Sequence, residues 1–191
     1  MPSSAHPPAG VFDYAPTIER EYARGARSHN TLELDGLDQS EMWGVFRVGR
    51  RARPFGLRRE DREGRVAIEA SHDGYRHLLG DPVRRRRMEH LGGDVWRVED
   101  LVLGGREHRA ISRLRLHPAF SAGACATGRF EASNGPVVIR IVPLSRARLD
   151  VEEGRYFPRF GVEERCLVVR LDAAGPLPLR ICYRVEFQTR S

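Results

Sequence analysis

The sequence predicts an all-β fold, an antiparallel, supersandwich-like β-sandwich preceded by a short irregular or helical lead-in. Three observations predict it. Runs rich in β-branched and aromatic residues recur along most of the chain, Gly, Pro and Asp-Gly signals punctuate them at short intervals, and most runs alternate apolar with charged side chains. That alternation is the period of a strand with one wet face. Many short strands joined by frequent turns pack as antiparallel sheets rather than as a helical bundle. At 191 residues the chain is long enough for one domain with a hydrophobic core and too short for two large ones.

Residues 1–28 read as the lead-in and 29–191 as the sandwich domain. Within the lead-in, Ile18, Tyr22 and Ala26 fall four apart, so one or two helical turns are expected inside 17–27, with Gly25 weakening them. Strands are expected at 31–34, 44–48, 65–69, 95–98, 112–116, 136–142, 166–171 and 181–187. In the fifth of these, Leu114 and Leu116 point one way, Arg113 and Arg115 the other. Trp43 and Trp96 are expected in the core. No internal repeat, low-complexity segment or dividing linker interrupts the pattern.

Apolar content of 40% and charged content of 30% are ordinary for a globular domain. No apolar run approaches the roughly 20 residues of a membrane-spanning helix, so no membrane partner is expected. Met1 to Pro8 lack the basic start and apolar stretch of a signal peptide. The net charge is +6, and all 32 basic residues are Arg. Guanidinium forks suit carboxylates, sulfates and phosphates, so charge alone leaves nucleic acid and acidic polysaccharide both open. Cys125, Cys166 and Cys182 are odd in number and lack C-x-x-C spacing, which disfavours metal or redox roles. Cys166 and Cys182 lie in apolar runs and read as small buried residues, and the spacing leaves a disulfide undecided.

Among residues able to carry chemistry, His29 stands just before a strand, flanked by Ser28 and Asn30, with Arg24 and Arg27 nearby. The residues alone leave it as a surface or capping histidine, or as a ligand or catalytic imidazole at a sheet edge. His72 in Ser71-His72-Asp73-Gly74-Tyr75 is more simply part of a turn than a second ligand. The run Arg84 to Arg87 sits in an extended segment, where alternate side chains face opposite sides. No aromatics interleave with it, so a solvated strand or a contact to sugar acids is favoured over a nucleic-acid patch.

The blocks Arg27-Ser28-His29-Asn30-Thr31, Leu34-Asp35-Gly36, Asp38-Gln39-Ser40-Glu41, Trp43-Gly44 and Phe46-Arg47-Val48 resemble bacterial heparinase II/III-like proteins. The likeness continues through Ser71 to Tyr75, Pro82-Val83, Arg85-Arg86, Arg113-Leu114 and Leu116-His117-Pro118, and ends near Tyr156-Phe157-Pro158 and Phe160-Gly161. This resemblance implies the C-terminal β-sandwich of a lyase that pairs it with an α/α-toroid and cleaves uronate-containing polysaccharides by β-elimination. It makes Tyr14 the match of a tyrosine near the catalytic site, and His29 the match of a histidine that helps bind a structural zinc.

The family's other zinc ligands come from a His-x-His segment and from an Asp in an Asp-x-Gly turn upstream of the tyrosine. Here the Asp position reads Pro7-Pro8-Ala9-Gly10, and no His-x-His occurs. The expectation is therefore a chain that lacks its toroid partner, is inactive alone and binds no zinc tightly by itself. The implied substrate is an acidic polysaccharide (glycosaminoglycan, alginate or exopolysaccharide), and the implied home is periplasmic or secreted. Arg24 as a substrate-carboxylate contact rests on chemistry alone. A non-catalytic carbohydrate-binding or scaffolding sandwich is the alternative, with a nucleic-acid module disfavoured.

Overall fold

The computed structural model describes residues 9–62, 64–126 and 128–190, with the backbone alone for 124–126. Positions 1–8, where a signal peptide was sought and where the expected Asp position begins, lie outside the described residues, as does the Cys125 side chain. Helix α1 spans Ile18–Arg24, and a 3-10 turn at Ala26–Ser28 follows it. The strands come next in three groups. The first is β1 (Leu32–Leu34), β2 (Met42–Trp43), β3 (Arg47–Val48), β4 (Pro54–Arg62) and β5 (Arg65–His72). Then come β6 (Val83–Gly92), β7 (Val95–Leu103), β8 (Glu107–Arg115), β9 (Ser121–Ala126) and β10 (Arg129–Asn134). The last are β11 (Val137–Pro143), β12 (Arg148–Arg159), β13 (Val162–Pro176) and β14 (Leu179–Thr189).

A small sheet has the order β1-β8-β13-β12, and a large one the order β4-β5-β6-β7-β14-β11-β10-β9. Antiparallel pairing runs through both. They pack face to face as the expected antiparallel sandwich. Strands β2 and β3 form a separate two-stranded ribbon. Alternation builds the core: Ala110 and Leu114 of β8 with Val169 and Leu171 of β13 meet Val98, Val102, Ile139, Ile181 and Tyr183 of the large sheet. Each such aliphatic side chain withdrawn from water contributes about 1.5–3 kcal/mol.

The short helix stands inside 17–27 as expected: Thr17 caps it by accepting from the Arg20 N–H, and it stops at Gly25. Other local expectations change. The buried face of the helix is Ala23 rather than Ile18, which is 66% exposed. Trp43 is 54% exposed because its ribbon stands outside both sheets, and Trp96 lies at an open end of the sandwich beside His90. The outward face of β8 is dry as well, with Ile111, Arg113 and Arg115 all buried.

The arginine run divides between two environments. Arg85 and Arg87 point outward to Glu69 and Glu60. Arg84 and Arg86 point between the sheets and clamp the fully buried Asp100, which also accepts from the Ser112 hydroxyl. Burial alone would raise the Asp100 carboxyl, but the two guanidiniums outweigh it and hold the group well below the usual carboxylate range. Such a cluster is costly to break by halves, because removing one partner strands the others in a dry interior. The substitution Asp100→Asn is expected to lower stability by about 3–5 kcal/mol, read by urea denaturation at neutral pH.

His72 closes the β5 end of the same region. Its Nδ1 accepts from the Gly74 N–H at 3.2 Å, which places it in the turn, and its Nε2 has no partner among the described residues. Burial first, then the neighbouring Arg84 charge, pull its pKa down to about 4. A base depressed in the folded state takes its proton first in the unfolded chain, so stability falls as pH drops from about 6.5 to about 4. The expected loss across that window is up to about 3 kcal/mol, and His72→Asn, which keeps an acceptor for Gly74, should flatten the profile in denaturation at pH 7 and near pH 4.5.

Candidate functional site

The lead-in reaches its position through a parallel bridge and a buried arginine. Ala9 and Gly10 run beside Phe157 of β12, and the Gly161 N–H donates to the Phe12 carbonyl. Gly10 has φ of +83°, and a Cβ there would lie 2.1 Å from the Phe157 oxygen, so the bridge requires glycine. Ala9, Ala23 and Phe157 close a small second core against Phe12 and Tyr22. Beneath it, Arg115 of β8 donates to the carbonyls of Arg27, Ser28 and Arg155, the Tyr22 hydroxyl and the Cys166 sulfur. The guanidinium fits because β12 carries Gly154 there; a Cβ would approach Arg115 to 2.8 Å and Val168 to 2.5 Å.

With its base fixed, the lead-in presents Tyr14 at the surface. The phenol ring is 58% exposed and lies 6.0 Å from Phe46 and 5.8 Å from Phe160, themselves 69% and 64% exposed. The Arg20 guanidinium covers this group, 5.1 Å from the Tyr14 ring centre and 5.6 Å from that of Phe46. Three exposed aromatics gathered under a cation form an interaction surface, and their flat apolar faces suit the C–H faces of sugar rings.

Arg20 also lines a cleft of about 530 Å³ between α1 and the 37–45 segment, together with Arg24, Asp38, Glu41, Arg50 and His77. Arg24 donates to the carbonyls of Gly44 and Arg47, and Arg20 to that of Val45 at 3.1 Å, so α1 grips the β2–β3 ribbon. Two of the cleft's three carboxylates are engaged with backbone: Asp38 accepts from the Ala26 N–H at 2.6 Å and Glu41 from the Arg50 N–H at 3.2 Å, while Glu21 lines the wall beside Arg20 and Arg24.

His29 caps the 3-10 turn, half-buried. Burial lowers its pKa; a hydrogen bond to the Ala23 backbone opposes that, the Arg115 charge adds to it, and Asp38 opposes it. The imidazole is therefore neutral near pH 7, the form that can ligate a metal. A zinc site needs about four ligands, and among the described residues no group of three or more His, Cys, Asp or Glu side chains gathers to hold one. Tyr14 and His29 have different neighbours: the former lies with Phe46, Phe160 and Arg20, the latter beside Ala23 and within reach of the Arg115 and Asp38 charges.

Sequence reading did not single out Arg20, Phe46, Phe160 or Arg115. Arg20 and Arg24 stand four apart, the spacing of one helix face, and that was the available signal. Arg115 alternates as a surface residue would, and only the glycine inside the β12 run hinted at a close approach.

A bridged aromatic-rich lead-in and a cleft with three arginines thus stand on a two-sheet scaffold of twelve strands. The chain belongs to the Heparinase II/III-like, C-terminal family, whose profile matches residues 7–189. Its fold is similar to that of the heparan sulfate lyase HepC from Pedobacter heparinus, with a TM-score of 0.76 at 17% identity over 97% of this chain and 28% of that one. It is likewise similar to a heparinase III, the BT4657 gene product, with a TM-score of 0.76 at 13% identity over 98% of this chain and 28% of that one. The chain thus spans about 28% of the length of these solved structures. No curated protein matches the sequence.

If Arg24 and Arg20 together pin the ribbon, Arg20→Ala/Arg24→Ala should speed amide hydrogen exchange across 42–48 by about tenfold or more while global stability moves by less than about 1 kcal/mol. Exchange mass spectrometry beside urea denaturation checks both halves.

Proposed function

We propose that this domain is the β-sandwich part of a polysaccharide lyase that cleaves uronate-containing polysaccharide of the glycosaminoglycan kind by β-elimination, against an α/α-toroid domain that supplies the opposite wall. The observation that carries the reading is the exposed Tyr14 phenol under Arg20, a guanidinium that also lines the cleft beside α1, in a chain of this family.

The chemistry asks little of the protein beyond placement. An arginine neutralising the uronate C6 carboxylate makes the C5 proton more acidic. Base removal of that proton forms the C4–C5 double bond as the C4–O bond breaks, and a proton is returned to the leaving glycosidic oxygen. Tyr14 is the proton-transfer residue in this scheme, since a phenol with a cation beside it moves a proton within hydrogen-bond reach. Arg24 and Arg20 are the carboxylate contacts, through the N–H groups that the ribbon carbonyls leave over. His29 is one zinc ligand among others drawn from upstream sequence, and no step of the elimination runs through it. The chain alone is then inactive.

The test reads the ultraviolet absorbance of unsaturated uronate products from heparan sulfate, using the chain alone and the chain joined to an upstream toroid domain. Activity is expected only in the joined protein, and Tyr14→Phe there should lower kcat by about 10²–10⁴-fold with KM little changed. Full activity of Tyr14→Phe contradicts the proton-transfer role. Glycan binding without any product in the joined protein indicates a carbohydrate-binding sandwich instead.

A further inference from the structure

Most of the protein's arginines face carboxylates. On the strands, Arg87, Arg97, Arg140, Arg165, Arg170 and Arg180 all do so. Among the described residues several exposed arginines have no ion pair, Arg58 and Arg62 of β4 included, and one group of them lines a cavity. The segment that leaves the β2–β3 ribbon, Gly49-Arg50-Arg51-Ala52-Arg53-Pro54, faces Asp73, Arg76 and His77 across a second cavity of about 620 Å³. Among the described residues, Arg51, Arg53 and Arg76 have no ion pair, and all three are exposed. The Arg50 guanidinium donates to His77 Nδ1 at 3.3 Å, so basic groups meet each other there.

The cavity's one carboxylate, Asp73, accepts from the Arg53 N–H at 2.7 Å and so holds the loop as well as facing the cations. Trp43 stands at the border, its ring packed where a Gly49 Cβ would lie, 2.8 Å from it. Uncompensated guanidiniums held on a folded loop repel one another, and the arrangement becomes favourable when an external anion enters.

We propose that this arginine cradle is a second anion subsite, which takes the sulfate or carboxylate groups of a glycan chain whose reacting unit lies at Tyr14. The proposal rests on the lyase reading of the Tyr14 site. Continuity supports it: Arg50 and His77 line both this cavity and the cleft beside α1, so the two form one track with arginines along its length. A polymer with an anionic group on successive sugars neutralises such a track step by step, and the exposed Trp43 ring offers an apolar face to a sugar beside it. Single-stranded nucleic acid fits less well, because its binding surfaces stack successive bases on several interleaved aromatics and the cradle has one at its edge.

The test titrates the full chain calorimetrically with a heparan sulfate oligosaccharide of defined length, at low and at physiological salt. The variant R51A/R53A/R76A is compared with R58A/R62A/R65A, which removes the same charge from β4 and β5. Thermal unfolding confirms that both are folded. The cradle variant should bind at least about tenfold more weakly and show a flatter salt dependence, while the control stays within about threefold of the unaltered chain. Three results overturn the cradle: equal losses in both variants, undiminished binding by the cradle variant, or no binding by the unaltered chain. Equally tight binding of duplex DNA with the same number of charges also overturns it, in favour of a nucleic-acid surface. Undiminished binding leaves the lyase reading intact, because the Tyr14→Phe measurement does not depend on Arg51, Arg53 or Arg76.

Discussion

The geometry of the whole candidate site depends on one buried cation, Arg115. It has no carboxylate partner among the described residues, and the partial charges of three carbonyls, a phenol oxygen and a thiol stand in for one. A guanidinium has five N–H donors in a planar fork, and this site gives each a partner. A lysine ammonium, with three donors on a flexible stem, has no arrangement that satisfies all of them. Because the acceptors belong to the lead-in, β12 and β13, the one side chain fixes all three relative to β8. Tyr14, Arg20 and Arg24 inherit their positions from that junction.

A second polar layer lies on the opposite side of the small sheet. Asp100, Arg84, Arg86 and Ser112 join β6, β7 and β8 across the interface of the sandwich. A one-residue slip of any of these strands would leave a charge unpaired in the dry interior, so the cluster specifies register as well as contributing energy. It also reaches the segment that follows the lead-in. Arg86 donates to the Asn30 carbonyl, while the Asn30 side chain accepts from the Arg115 N–H at 2.7 Å. His29 is thus flanked by Ser28 and Asn30, two residues held by arginines, which gives its imidazole a defined place.

The sandwich was legible in the sequence because strand alternation and turn residues are local signals, and the capped helix end at Thr17 and Gly25 is local too. Which faces stay wet is not a local property. Arg113 and Arg115 alternate with leucines as solvent-facing residues do, yet the lead-in and β12 bury them, and Glu33 gives Arg113 its partner from 80 positions away. The division of the arginine run was visible as alternation, but the carboxylate awaiting Arg84 and Arg86 was not. Trp43 shows the opposite error: a large aromatic in a strand pattern suggests core, and only topology reveals that its two-stranded ribbon has no sheet to pack against. Of the site itself, Tyr14 and His29 came from family likeness, whereas the Phe46, Phe160 and Arg20 shell required three distant segments to meet.

That meeting has a mechanical side. The phenol of Tyr14 touches a ring from the ribbon and a ring from the turn between β12 and β13, and the helix arginine that covers it also grips the ribbon's backbone. Its orientation is thus shared among three segments far apart in sequence, and a displacement of the ribbon would be felt at the phenol.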